Sequence, residues 1–291
     1  MMSMKEAFMS VKIISDSTCD LSKELIEKYK IDILPLHIVL GETEYRDGVE
    51  IGPDEIYEWS DANKTTPKTS AASIEDAMNL YEESLKEHDE IVVFSISGKM
   101  STTVNVMRMA AEELEVEEKI HVVDSENLST GSGLLVIEAA ILAQDGKNAD
   151  EIVAHIESIK SKVRASFVVD TLTYLHRGGR CSGVAALAGG ALKLHPKIVV
   201  ADGAMKPDKK YRGKMSKVIL DYAKDLEASI KNARVERVFI THSGCDAEVI
   251  AKIEAYLKEL NYFDEILITR AGGVISSHCG PGTLGVLFVE K

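Results

Sequence analysis

Three stretches of the sequence gather hydroxyl, glycine and histidine side chains in patterns suited to holding an anion. Pro67-Lys68-Thr69-Ser70-Ala71-Ala72-Ser73 is one, and Ser95-Ile96-Ser97-Gly98-Lys99-Met100-Ser101-Thr102-Thr103 is another. The second follows an apolar run and opens a helical pattern. A helix amino terminus offers unpaired N–H groups and partial positive charge there, which suits a carboxylate or phosphate. Ordinary helix capping by Ser and Thr accounts for the same spacing more simply. The third stretch, residues 272–285, holds five glycines in fourteen residues, with His278 among them. Such glycines let the backbone approach a ligand or another chain closely. His278 can donate to an anion or be satisfied by its own loop. Leu175-His176-Arg177-Gly178-Gly179-Arg180 sets arginines around a Gly-Gly turn, an anchor for phosphate or an acidic protein surface. Helix C-capping by Gly178 with solvated arginines is the plainer account.

The signatures of the commoner enzyme chemistries are missing. There is no HExxH pair, GxSxG elbow or GxxxxGK[ST] phosphate loop, and Gly131-Ser132-Gly133 is only a fragment of a dinucleotide-binding fingerprint. No catalytic set, metal site or cofactor is therefore expected. The four cysteines, Cys19, Cys181, Cys245 and Cys279, form no CxxC pair, so they are expected as reduced thiols in a cytoplasm rather than disulfides or zinc ligands. The opening residues 1–11 have no long apolar core and do not look like a secretory signal.

These residues need a scaffold, and the pattern of elements supplies one. Residues 11–15, 91–94 and 120–123 are short apolar runs, each ending in a polar turn: Asp16-Ser17-Thr18, Ser95-Ile96-Ser97 and Asp124-Ser125. Helical spacing marks residues 23–30, 54–61, 74–86, 102–115, 133–144 and 150–162. Strands alternating with helices imply crossovers and a mainly parallel sheet, with functional groups at the strands' carboxyl tips. Residues 31–40 form a β-rich stretch with Pro35 favouring an edge or bulge, and residues 63–73 form a loop. After residue 162 the texture changes. Strands are expected at 167–170, 197–201, 235–241, 265–269 and 286–290, with a hairpin turn at Asp202-Gly203 and helices at 172–177, 217–231 and 246–260. Residues 271–285 are expected as a glycine-rich loop. The fold class is α/β in two domains: residues 1–162, a mainly parallel sheet with flanking helices, and residues 163–291, mixed α/β.

Length and charge agree. At a soft prior of about 150 residues per domain, 291 residues suggest two domains. A formal net charge of −13 disfavours nucleic-acid binding. No run nears the ~20 apolar residues of a membrane span.

The order of these motifs resembles the DegV family of bacterial fatty-acid-binding proteins. The matching pieces are Asp16-Ser17-Thr18, Pro67-Lys68-Thr69-Ser70, Ile96-Ser97-Gly98-Lys99-Met100-Ser101, Val122-Val123-Asp124-Ser125, Gly178-Gly179-Arg180 and His278-Cys279-Gly280-Pro281-Gly282-Thr283-Leu284-Gly285. They run from Val11 to the C-terminus. The resemblance implies a protein that holds one long-chain fatty acid and does no catalysis itself. Thr69 and Ser101 would bind the carboxylate, with His278 close by and Ser97 and Gly98 in the same turn. The bound acid would be presented to a separate fatty acid kinase that forms acyl phosphate. Arg180, with Arg177 and Arg212, would face that partner. A monomer is expected, from the resemblance and the absence of a heptad seam.

The chain departs from the family pattern at several positions. Ala71-Ala72 stand within the usual TSQPS, Gly98 replaces a serine, Thr102 a glycine and Val104 a tyrosine. Thr102 matters because glycine tolerates backbone angles that threonine does not. Residues 184–192, Met100, Met107 and Met109 are candidate linings for an acyl chain, since Met adapts to irregular shapes; ordinary core packing is the simpler account. Two other functions stay open. One is an enzyme for a small phosphorylated or carboxylated substrate using Asp16, Ser97 and Asp124. The other is an interaction module whose lipid is structural.

Overall fold

A computed structural model describes residues 10–181 and 194–291. The first strand, β1 (Val11–Asp16), pairs in parallel with β2 (Asp32–Leu34) on one side and β6 (Glu90–Ser95) on the other. β6 pairs in parallel with β7 (Ile120–Asp124), giving the order β2-β1-β6-β7. The inner strands are apolar on both sides because helices cover both faces, as expected of a parallel sheet. Helices α3 (Ile74–Ser84) and α4 (Thr103–Glu113) bury Tyr81, Met107 and Ala110 against Ile14, Ile91 and Val93. On the other face α1 (Lys23–Tyr29), α5 (Thr130–Gln144) and α6 (Ala149–Ile159) pack onto Ile13, Val92 and Phe94.

Residues 31–40 do not make one strand. Pro35 has no N–H to continue a ladder, and the chain divides there. β2 stays in the parallel sheet, and β3 (His37–Leu40) starts a small antiparallel sheet, β4-β3-β5, with β4 (Thr43–Arg46) and β5 (Lys68–Ser70). Part of the segment expected as a loop, 63–73, is thus the edge strand β5. Helix α2 (Pro53–Asn63) opens with proline in its first turn, where the missing N–H does no harm.

The described strands from β8 onward form a second large sheet beside the parallel one, order β10-β9-β8-β13-β11-β12. They are β8 (Val163–Val168), β9 (Leu194–Ala201), β10 (Ala204–Arg212), β11 (Arg237–His242), β12 (Glu265–Arg270) and β13 (Leu284–Val289). Among the described strands of this sheet only β11 and β12 pair in parallel, joined by the crossover helix α10 (Ala247–Leu260). Helix α7 (Thr173–Gly178) follows β8. The expected helix 217–231 is two pieces, α8 (Met215–Asp225) and one-turn α9 (Glu227–Ile230). α8 and α10 cover one face of this sheet. The other face rests on α5, whose Leu134–Ile137 run shares a core with Ala165, Phe239 and Leu287. A helix that is apolar on every side must be buried on every side, and α5 lies between the two sheets. Among the described residues, no helix is long and apolar enough to cross a membrane.

Candidate functional site

In the parallel sheet, β1 leads to β2 on one side and β6 leads to β7 on the other. The crevice at the carboxyl ends of β1 and β6 is the place where open α/β sheets bind ligands. Asp16 ends β1. Its Oδ2 accepts Ile96 N–H at 2.7 Å, and its Oδ1 accepts Thr18 N–H at 3.0 Å and the Thr18 hydroxyl at 2.5 Å. Burial pushes its pKa up to about 6 against those hydrogen bonds. Asp124, ending β7, accepts Gly98 N–H at 3.2 Å on each oxygen and Glu126 N–H at 2.9 Å. Ser97 donates to the Gly203 carbonyl at the tip of the β9–β10 hairpin, 2.6 Å away. All three strand-tip groups are therefore engaged with the backbone. They hold the β6–α4 loop in place, and Ser97 lies outside the cavity lining.

That loop borders a cavity of about 380 Å³, within the range of small-molecule sites, roughly 300–1,000 Å³. Gly98, Met100, Ser101 and Thr102 line it from the loop, and Thr69 lines it from β5. Thr102 has φ −85° and ψ 3°, angles open to any residue, so threonine in the family's glycine position leaves the turn intact. Ser101 Oγ lies 2.8 Å from Thr103 Oγ1 and accepts Thr103 N–H at 3.3 Å. Leu36, Ile96, Leu128, Met205, Val274 and Ile275 make the walls apolar. Met107 sits in the core beside α3 and Met109 is 46% exposed, so neither lines the cavity. Residues 184–192 lie outside the described residues.

The segment expected as a glycine-rich loop contains a helix, α11 (Gly273–Cys279), and Val274, Ile275, His278 and Cys279 on it all line the cavity. Its amino terminus is held by carboxylates from far away in the chain. Asp47 accepts Gly273 N–H at 2.8 Å and Val274 N–H at 3.3 Å, while Asp20 accepts Gly272 N–H at 2.8 Å and the Ser129 hydroxyl. Burial pushes Asp20 up to about 8, the hydrogen bonds from Ser129 and Gly272 oppose this, and neighbouring Asp47 and Asp16 add to it. Asp20 does not cap α1; Ser22 does.

At the far end of α11, His278 Nε2 meets Thr69 Oγ1 at 2.8 Å. Burial, and then the charge of Arg180, bring the His278 pKa down to about 4, so the ring is neutral at pH 7. Gly178, the last residue of α7, packs on that ring, and Gly179 (φ +66°) is the helix C-cap that had been expected at Gly178. Arg180 is exposed and lines the cavity, donating to Gly178 O at 2.8 Å. Arg177 lines a separate opening of about 270 Å³ with Lys64 and Thr66, and Arg212 is exposed at the end of β10.

Thr69, Ser101, Gly98, His278 and Arg180 thus come together, while Ser97, Arg177 and Arg212 do not join them. The cavity lining offers hydroxyl groups, one imidazole and two cations, Lys99 and Arg180, beside its apolar walls. Among the described residues, no group of three or more His, Cys, Asp and Glu gathers as a metal site. Sequence reasoning missed Asp20 and Asp47 as anchors of α11, and Met205 and Leu128 as walls. The only local signal for Asp20 was an acidic residue in the polar turn after β1.

A family model described as an uncharacterised protein of the DegV family matches residues 10–291. The DegV domain-containing protein TTE1491 of Caldanaerobacter subterraneus subsp. tengcongensis is 32% identical, over 97% of this chain and 99% of its own length. A fatty-acid-binding DegV family protein from Thermus thermophilus superimposes with a TM-score of 0.88 at 31% identity, covering 97% of this chain and all of that one. A stearic-acid-binding protein from Eubacterium ventriosum gives 0.83 at 30% identity, over 97% and 98%. With a family match over nearly its whole length, this chain belongs to the DegV family.

Proposed function

We propose that the cavity holds one long-chain fatty acid, its carboxylate at Thr69 and Ser101 with His278 assisting, and its acyl chain along the aliphatic walls. The observation that carries this reading is that Thr69 and His278, in contact with each other, line with Ser101 one cavity whose remaining lining is in large part aliphatic. A carboxylate leaving water needs donors to replace its hydration, and the hydroxyls are there. Each methylene buried contributes about 0.8 kcal/mol, so chain length sets affinity. The tail runs toward Leu128, Ile275 and Cys279, which also border a second apolar space with Phe167 and Leu287. The fatty-acid and stearic-acid ligands of the Thermus and Eubacterium proteins support the same ligand class.

The finer part of the proposal follows the family resemblance. The chain is a monomeric cytoplasmic carrier without catalysis of its own, and it presents the carboxylate to a separate fatty acid kinase. Arg180, exposed at the cavity head, docks that partner, with Arg177 and Arg212 contributing from the surrounding surface. Asp16, Ser97 and Asp124 are tied to backbone groups, which leaves the enzyme reading without free acid–base residues at the strand tips.

Native mass spectrometry followed by solvent extraction tests the ligand. The expected result is one added mass per chain that is released as a fatty acid. A chain that is empty and also fails to take up added hexadecanoic acid overturns the proposal. The loaded chain, ATP and a fatty acid kinase together should give acyl phosphate, with Arg180→Ala losing product but keeping the lipid. Product from the chain and ATP alone would restore the enzyme reading.

A further inference from the structure

His278 has two ring nitrogens in very different surroundings. Nε2 lies 2.8 Å from Thr69 Oγ1. Nδ1 is buried without a hydrogen-bond partner among the described residues and faces Gly178, where a β-carbon would stand only 2.3 Å from it. The ring is neutral, so it carries a single proton, and the two tautomers have opposite consequences. With the proton on Nδ1, a buried N–H would point at carbon, the arrangement that buried donors avoid. Nε2 would then accept a hydrogen bond from the Thr69 hydroxyl, leaving Thr69 to show only lone pairs to the cavity. With the proton on Nε2, the ring donates to Thr69 Oγ1, and the Thr69 O–H is free to donate inward. Ser101 is set up in the same sense. Its oxygen accepts Thr103 N–H and shares a 2.8 Å bond with the Thr103 hydroxyl, so that when Thr103 donates, the Ser101 proton is left for the ligand.

We infer that His278 is a positioning residue held as the Nε2–H tautomer, which makes the Thr69 hydroxyl a dedicated donor to an anionic head group, and that Gly178 is the residue whose missing side chain makes room for it. Thr69, Gly178 and His278, from three separate elements, are then one device. It also sets specificity. A head that accepts hydrogen bonds, a carboxylate, is taken, and a head that must donate, an alkylammonium, is refused. This inference rests on the proposed carboxylate ligand.

Nitrogen-15 NMR of histidine-labelled full-length protein, with and without hexadecanoic acid, tests it. The His278 signals are identified by their loss in His278→Gln. The expected pattern is a protonated Nε2 and a bare Nδ1. A proton on Nδ1, or on both nitrogens near neutral pH, overturns the inference. In binding assays His278→Leu should weaken hexadecanoate at least ~tenfold, and His278→Gln, which keeps an N–H near the Nε2 position, should recover most of it. Equal losses in the two variants overturn the inference. Gly178→Ala should weaken binding as His278→Leu does. If it fails to fold, the NMR result still decides. If the unaltered protein takes up no hexadecanoate, the ligand reading falls, and the tautomer in the empty protein decides the rest.

Discussion

Thr69, Ser101 and His278 are far apart in the chain and line one cavity only because β5, the β6–α4 loop and α11 converge. The first two hydroxyls would each make a charge-assisted hydrogen bond, of about 1.5–3 kcal/mol. Replacing both by alanine should therefore weaken fatty-acid binding by ~10²-fold or more in calorimetric titration, and unchanged affinity would remove them from the site. That the three would lie near one another was indicated by the family resemblance; spacing alone favoured helix capping. Asp20 and Asp47 were not legible, because their partners are 252 and 226 residues away. Asp20 also carries a pH dependence. Its pKa is about 8 in the folded protein against an ordinary 3.8, so the folded state keeps a proton that the unfolded chain has lost. Its contribution to stability is present at low pH and falls as pH rises from ~4 to ~8. Asn is isosteric with the protonated acid and has no such dependence. Asp20→Asn should thus gain on the unaltered chain by on the order of a few kcal/mol between about pH 5 and 8 in urea unfolding; a constant difference would refute the shift. His278 acts in the opposite sense, losing stability as pH falls from ~6.5 to about 4, and it cancels in that comparison.

Most elements were readable because hydrophobic period and turn residues mark them locally. β1, β6 and β7, the helices between them and the Asp202-Gly203 turn all lie within a few residues of their expected positions. The exceptions have physical causes. β5 is three residues long and exists through its pairing with β3, and α11 forms in a glycine-rich segment because distant carboxylates satisfy its first N–H groups. Pattern reading could find neither. Helix α5 was readable as a helix, and its being apolar all round marks it as buried, but which surfaces bury it is set by tertiary packing. Leu135, fully buried on it, should cost about 2–5 kcal/mol when changed to Ala, seen as a lower urea midpoint. A loss under ~1 kcal/mol would mean that one side of α5 is loosely packed.

Across the whole molecule, the β9–β10 hairpin reaches from the second sheet to the loop that borders the cavity. Ser97 donates to Gly203 O and Lys99 Nζ to Asp202 O, at 2.6 and 2.7 Å, and Met205 just beyond the turn lines the cavity. Ser97→Ala leaves a carbonyl without its partner, at a cost of about 1–3 kcal/mol. Faster amide hydrogen exchange at residues 203–205 is expected, with a faster ligand off-rate; unaltered exchange would show that Lys99 alone secures the hairpin. Net charge and the alternation of elements were enough to indicate the α/β class and disfavour a nucleic-acid binder. The joining of the two sheets was hidden, since no local pattern records which surfaces a helix will share.

That shared helix bears on how the molecule comes apart. The surface ion pair between Arg270 and Asp54 also bridges early and late parts of the chain, but exposed pairs contribute at most about 1 kcal/mol. α5 contributes side chains to a core that includes Ile13 and Phe94 of one sheet and Phe239 and Leu287 of the other. Peeling either sheet away would bare one flank of α5 to water, so neither sheet has a complete interior of its own. Melting should then be all-or-none despite the chain's length. A single calorimetric endotherm with equal calorimetric and van't Hoff enthalpies is expected, and two resolved endotherms would mean that the halves unfold independently.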